Sequence, residues 1–143
     1  MIVEQVWTGN AYRNFNYLVA CPETGDALAI DPLDYGKCLA AAKRQGWTIT
    51  QILNTHEHGD HTGGLVEILR LAPEAEVHLP PSVSYETFAS IEGLASSVFF
   101  HREPIRIIEG AVLSGELGDE IREQSLLLNT PRGVVVVAGC SHP

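Results

Sequence analysis

The sequence predicts an α/β domain in which a mixed β-sheet carries helices on one face. Three observations predict it. Apolar segments of strand length alternate with helical patterns over the first 80 or so residues, in the order β-β-β-α-β-loop-α-β. The segment Tyr35 to Gln45, rich in Ala, Lys and Arg, ends at Gly46, where a helix C-cap is expected. The last 40 or so residues hold four further apolar runs separated by Gly, Asn and Pro.

Each element follows from local composition. Ile2 to Trp7 and Asn16 to Cys21 are strand-forming, with the turn signal Thr8-Gly9-Asn10 between them. Pro22-Glu23-Thr24-Gly25-Asp26 is a second turn, and Ala27 to Ile30 a short strand closed by Asp31-Pro32. After the Tyr35–Gln45 helix, the Thr- and Ile-rich Trp47 to Leu53 reads as a strand. The polar run Asn54 to Asp60 reads as a loop, Leu65 to Leu71 as a helix stopped by Pro73, and Glu76 to Leu79 as a strand. Pro80-Pro81 then interrupts the chain. The Ser-rich stretch Ser82 to His101 has no decisive periodicity, and its structure stays open. Ile105 to Ile108, Ala111 to Leu113, Gln124 to Leu128 and Val134 to Ala138 read as strands. No repeat or low-complexity linker appears, so residues 1–143 are expected to form one domain, with 79–81 as an alternative junction.

Composition narrows the function classes. Hydrophobic residues make up 45% of the chain and charged ones 19%, enough apolar material for a core. Eighteen acidic against nine basic residues give a formal charge of −9, the wrong sign for a nucleic-acid binder. No apolar run approaches the roughly 20 residues of a membrane helix, so no membrane partner is expected. The N-terminus lacks the basic and apolar regions of a secretory signal. The three cysteines, Cys21, Cys38 and Cys140, form no Cys-x-x-Cys pair. A reducing cytoplasm is the expected compartment.

The chemistry concentrates in Thr55-His56-Glu57-His58-Gly59-Asp60-His61-Thr62-Gly63-Gly64, where three of the six histidines and an aspartate fall within six positions. An irregular loop after a strand allows His56 and His58 to face one point, while the Gly59 step lets Asp60 and His61 face a second. Imidazole and carboxylate are ligands for zinc or iron, and two such points would hold a pair of metals. The competing reading, a solvated loop capping a helix through Asp60 or Thr62, leaves the three histidines unused.

The run from Thr55 to Gly64 resembles the metal-binding signature of the metallo-β-lactamase-fold hydrolases. Residues 1–79 are more closely similar to hydroxyacylglutathione hydrolase (glyoxalase II), through Trp7-Thr8-Gly9-Asn10, Asn14-Phe15-Asn16-Tyr17, Ala29-Ile30-Asp31-Pro32 and Asn54 to Gly64. Glu123-Gln124-Ser125-Leu126 through Gly139-Cys140-Ser141-His142-Pro143 instead resembles the dihydropterin-linked ribofuranosylaminobenzene phosphate synthase-like branch, whose third metal motif reads Gly-Cys-Ser-His. The resemblance implies an αββα sandwich, of which this chain would hold the N-terminal half, as a truncated or hybrid chain joined near Leu79-Pro80-Pro81. It implies that His56, His58 and His142 bind one metal and that Asp60 and His61 bind a second. Asp31 would support the site from behind, or simply cap the Asp31-Pro32 turn. His142, beside the C-terminus, would otherwise be frayed and solvated. Cys140 reads as a small buried residue rather than a ligand. His78 and His101 read as surface or edge residues.

The family pattern continues past this chain with a bridging acid, a last histidine and most of the substrate pocket. The expected activity is hydrolysis of a small thiolester of the hydroxyacylglutathione type by a metal-bound hydroxide that Asp60 orients. One or two Zn2+ are expected, with iron or manganese as alternatives. The second reading is a metal-binding half-domain with little or no catalysis, completed by a homodimer that covers an exposed sheet face.

Overall fold

A computed structural model describes residues 1–142. Its first sheet has six strands in sequence order: β1 (Ile2–Trp7), β2 (Phe15–Ala20), β3 (Asp26–Ile30), β4 (Thr48–Leu53), β5 (Glu76–Leu79) and β6 (Ser97–Phe100). The first three pair antiparallel through short loops, and β3 to β6 pair parallel. Parallel neighbours need crossovers, and helices supply them: α1 (Tyr35–Gln45) between β3 and β4, α3 (Leu65–Leu71) between β4 and β5, and α4 (Tyr85–Ile91) between β5 and β6. A second sheet, ordered β10-β9-β8-β7, is antiparallel throughout and comprises β7 (Ile105–Ile108), β8 (Ala111–Leu113), β9 (Leu126–Thr130) and β10 (Gly133–Val137).

Strand alternation sorts the core into two layers. Leu18, Ala29, Ile52, Val77 and Leu79 face the helices and meet Cys38, Ala41, Ile68, Leu69 and Ile91. Val19, Leu28, Ile30 and Leu53 face the other way and meet Ala111, Leu113, Leu126, Leu128 and Val137 of the second sheet. The layers are therefore helix, sheet and sheet. Among the described residues no helix covers the outer face of the second sheet, where Val134 and Val136 stay exposed. No helix of the described residues is long and apolar enough to cross a membrane.

The α1 boundaries match the sequence reading for the expected reasons. The Asp34 side chain accepts the Lys37 amide, and Gly46 closes the helix at φ 72°. The unsettled stretch 82–101 forms α4, capped by Ser84, followed by β6. Its pattern was faint because β6 is an edge strand whose side chains are largely exposed, so no alternation marks it. The 54–60 loop is shorter than the sequence suggests, because Gly59–Thr62 makes one helical turn, α2, that carries both Asp60 and His61. Gly64 permits the close approach behind this turn. A methyl group there would meet the Pro32 carbonyl oxygen at 2.0 Å.

Candidate metal centre

The parallel strands β3 and β4 end side by side, and their C-terminal ends deliver Asp31 and the Asn54-Thr55-His56 run to one edge of the sheet. Asp31 sits in the left-handed region at φ 46°, a costly conformation for a residue with a side chain. Its buried carboxylate accepts the Thr55 amide at 2.8 Å, the Thr55 hydroxyl at 2.7 Å and a hydrogen bond with His61 Nδ1 at 2.8 Å. The carboxylate is thus the joint between β3, β4 and α2, not a cap of its own turn. With Nδ1 engaged, His61 presents Nε2 to the site.

A second carboxylate does the same for the C-terminal segment. Buried Glu123 accepts the amides of Ser141 at 3.1 Å and His142 at 3.0 Å, and pairs with His142 Nδ1. The segment before β9 is pinned to the β4 loop, since the Gln124 amide donates to the Thr55 carbonyl at 2.8 Å and Gln124 Nε2 to the Asn54 carbonyl at 2.9 Å. Gly139 passes so close to Thr55 that a Cβ would lie 2.3 Å from its hydroxyl. His142 is held in place, therefore, rather than frayed.

These anchors converge the side chains. Donor atoms of His56, His58 and His142 lie within 4.8 Å of one another, as do those of His56, His61 and Cys140. The ring centroids of His56 stand 4.7 Å from His58, 4.2 Å from His61 and 5.1 Å from His142. Asp60 flanks the second group, its Oδ2 3.8 Å from His61 Nε2, and Asn14 Nδ2 donates to that same oxygen at 3.0 Å.

The electrostatics follow from this packing. Burial pulls His61 down, but the hydrogen bond and charge of Asp31, with Asp60 and Glu123 beyond, outweigh it and hold the imidazole above its ordinary value. Burial and the neighbouring His61 hold His56 below the ordinary range. The Asn14 hydrogen bond, with help from His61, keeps Asp60 below the usual carboxylate range, so it stays ionised at neutral pH. Burial would raise Glu123, yet hydrogen bonds from His142 and Ser141 bring it below the usual value. The Cys140 thiol is raised by burial and by the Glu123, Asp60 and Asp31 carboxylates.

The residues fit a bound cation. His56 is fully buried, its Nδ1 meets the Thr55 hydroxyl at 2.9 Å, and its Nε2 has no partner. A buried ring nitrogen without a partner is costly unless something binds it. Four imidazoles, a thiol and an adjacent carboxylate are the donor set of zinc or iron rather than magnesium.

A family model described as the metallo-β-lactamase superfamily matches residues 19–140. The chain belongs to the metallo-β-lactamase superfamily. Two curated relatives are hydroxyacylglutathione hydrolases. The protein of Nitrosococcus oceani is 80% identical over 64 residues, which are 45% of this chain and 24% of that one. That of Polaromonas sp. is 72% identical over 69 residues, 48% of this chain and 26% of that one. The matched regions thus span about a quarter of the length of these relatives. Solved structures share the fold. A metallo-β-lactamase from Staphylococcus aureus aligns with TM-score 0.66 at 24% identity over 90% of this chain and 38% of its own. ETHE1 from Myxococcus xanthus aligns with TM-score 0.61 at 24% identity over 90% of this chain and 54% of its own. The superfamily sandwich is accordingly present here as its helix, sheet and sheet layers.

Two expectations require correction. Cys140 is exposed rather than buried, and its Sγ lies 3.2 Å from His61 Nε2, because the turn after β10 points it at α2. His78 is neither a surface nor an edge residue. It is buried on β5, an interior strand, and stacks with His101 and Phe99. The sequence reading also gives no role to Glu123 or Asn14. Both lie inside the resembling motifs Asn14-Phe15-Asn16-Tyr17 and Glu123-Gln124-Ser125-Leu126, but nothing local in those motifs marks what the two side chains hold.

Proposed function

We propose that the chain is a metal-dependent hydrolase centre acting on thiolesters of the hydroxyacylglutathione type. The convergence of His58 and His142, and of His61 with Cys140, on buried His56, whose Nε2 has no partner, carries this reading. The identity to hydroxyacylglutathione hydrolases supports the substrate class. His56, His58 and His142 would hold one ion, Asp60 and His61 a second, with zinc the metal that suits these donors and iron or manganese the alternatives. When bound, the pair supplies Lewis-acid polarisation of a carbonyl oxygen and an acidified water.

The chain's own residues do the rest. Asp31 and Glu123 fix the ring orientation of His61 and His142 by accepting hydrogen bonds from their Nδ1–H groups, which turns each Nε2 toward the site. Asp60, ionised and tethered by Asn14, is an acceptor that orients the attacking water. Being a weak base, it aims that water better than it would store its proton. Cys140 and Ser141 are not required as nucleophiles.

Purified protein should contain two metals per chain and hydrolyse thiolesters in preference to lactams and phosphodiesters, with loss of both in His58→Ala. Activity unchanged by that substitution would reject the reading. The bare outer face of the second sheet favours a second reading, in which the chain binds metal with little or no turnover unless two copies pack together. Bound metal without hydrolysis above background, in a protein that sediments as a monomer, would favour binding alone.

A further inference from the structure

We propose that Cys140 is a thiolate ligand at the second cation position, alongside His61 and beside Asp60. This rests on the reading of the cluster as a metal centre and adds to it a donor that the histidine motif does not contain. The geometry carries it. Cys140 Sγ is 3.2 Å from His61 Nε2, and the donor atoms of His56, His61 and Cys140 fall within 4.8 Å. A tetrahedral zinc with sulfur at about 2.3 Å and nitrogen at about 2.0 Å separates such a pair by roughly 3.5 Å, so a small parting of the two side chains admits the ion.

A second observation points to a ligand independently of the cysteine. His56 is fully buried, and its Nε2 has no hydrogen-bond partner. The two clusters share this histidine, so a cation near Cys140 would lie next to one held by His58 and His142.

The backbone is built to keep the thiol there. Gly139 is pressed against Thr55 with no room for a side chain, and Ser141 adopts φ 57° while its amide is held by Glu123. The turn between Val137 and His142 is therefore fixed at both flanks of Cys140. Without such a donor, His61 and Asp60 offer a second ion only two protein ligands. On binding, the sulfur–hydrogen bond breaks, the proton passes to solvent, and the sulfur electron pair forms the bond to the metal. A thiolate makes this position softer and favours zinc or cobalt over manganese or magnesium.

Cobalt(II) titration of the full chain tests the proposal. The wild type should take up two equivalents, and a near-ultraviolet sulfur-to-cobalt charge-transfer band should grow with the second. Cys140→Ser should bind the first equivalent unchanged and lose more affinity for the second than the roughly 10- to 100-fold caused by removing an outer partner. A measurement on unsubstituted protein guards against misfolding of the variant. Zinc should protect Cys140 from alkylation, read by peptide mass, while leaving Cys21, in the turn after β2, as reactive as before. Two bound equivalents with no charge-transfer band, or alkylation of Cys140 unaffected by zinc, would overturn the thiolate ligand and leave the metal centre standing. No cobalt bound by the wild type would overturn both.

Discussion

Two groups of histidines lie near the same end of the first sheet, and they are arranged alike but conditioned oppositely. In one, the His56 and His61 rings are 4.2 Å apart. In the other, the His78 and His101 rings are 5.2 Å apart. In each group a buried histidine has its Nδ1 engaged at close range. The partner differs. His61 meets the Asp31 carboxylate, whereas His78 meets His101 Nε2 at 2.9 Å and stacks on Phe99. Carboxylates hold His61 above its ordinary value, while burial and then the neighbouring His101 push His78 down to about 4. A buried histidine is thus an oriented donor where carboxylates oppose its burial and a neutral core ring where none does.

The largest expected effect comes from removing that carboxylate. Asp31→Ala strands the Thr55 amide, the Thr55 hydroxyl and His61 Nδ1 in a buried site, at a cost of about 3–5 kcal/mol in stability. A urea midpoint and elemental analysis check it. The midpoint should fall sharply and bound metal should be lost. If the variant keeps both, Asp31 is not what organises the first group.

His78 sharpens the comparison through pH. The unfolded chain protonates this ring near pH 6.5, and the folded chain only near 4, so between these values the unfolded state binds more protons. Its contribution is fully present above 6.5 and is lost as pH falls toward 4, by about 3 kcal/mol in all. His78→Leu should flatten this part of the stability profile relative to wild type. An unchanged slope between pH 6.5 and 4 would mean that the ring is not held neutral by its surroundings.

A smaller effect is expected at Glu123. Glu123→Gln keeps the shape of the side chain but has a single acceptor oxygen, so of the Ser141 and His142 amides, which donate to different carboxylate oxygens, one loses its acceptor, and the pull on His142 Nδ1 weakens. Metal affinity should drop roughly 10- to 100-fold, and the stranded amide should lower stability by about 1–2 kcal/mol, less than the loss in Asp31→Ala. A competition titration against a chelator reads the difference, and an unaltered affinity would deny Glu123 its orienting role.

How much of this was legible in the sequence differs between the two groups. Clustered His56, His58, Asp60 and His61 announce themselves by density within one loop. The α1 limits and most strands follow from caps and apolar runs that are local in the chain. Glu123 was not legible, because its role depends on a pairing between the stretch before β9 and the turn after β10 that no local pattern encodes. The exposure of Cys140 and the burial of His78 failed for a related reason. Each is set by which strand ends up beside it, not by its own neighbours in sequence.

The smallest expected effect tests whether the two groups are independent. His101→Phe keeps a flat ring to stack on Phe99 and His78 but removes the nitrogen opposite His78 Nδ1. Stability at pH 8 should fall by about 1 kcal/mol, the usual worth of one such hydrogen bond. Burial is the larger cause of the low value at His78, with the His101 charge second, so the loss of stability between pH 6.5 and 4 should persist in this variant. Bound metal should not change, since His101 donates to neither cluster. A variant that lost metal would show that the ring stack reaches the centre, through the Asn54 amide hydrogen bond to the His78 carbonyl at 3.1 Å, and that the two groups work as one.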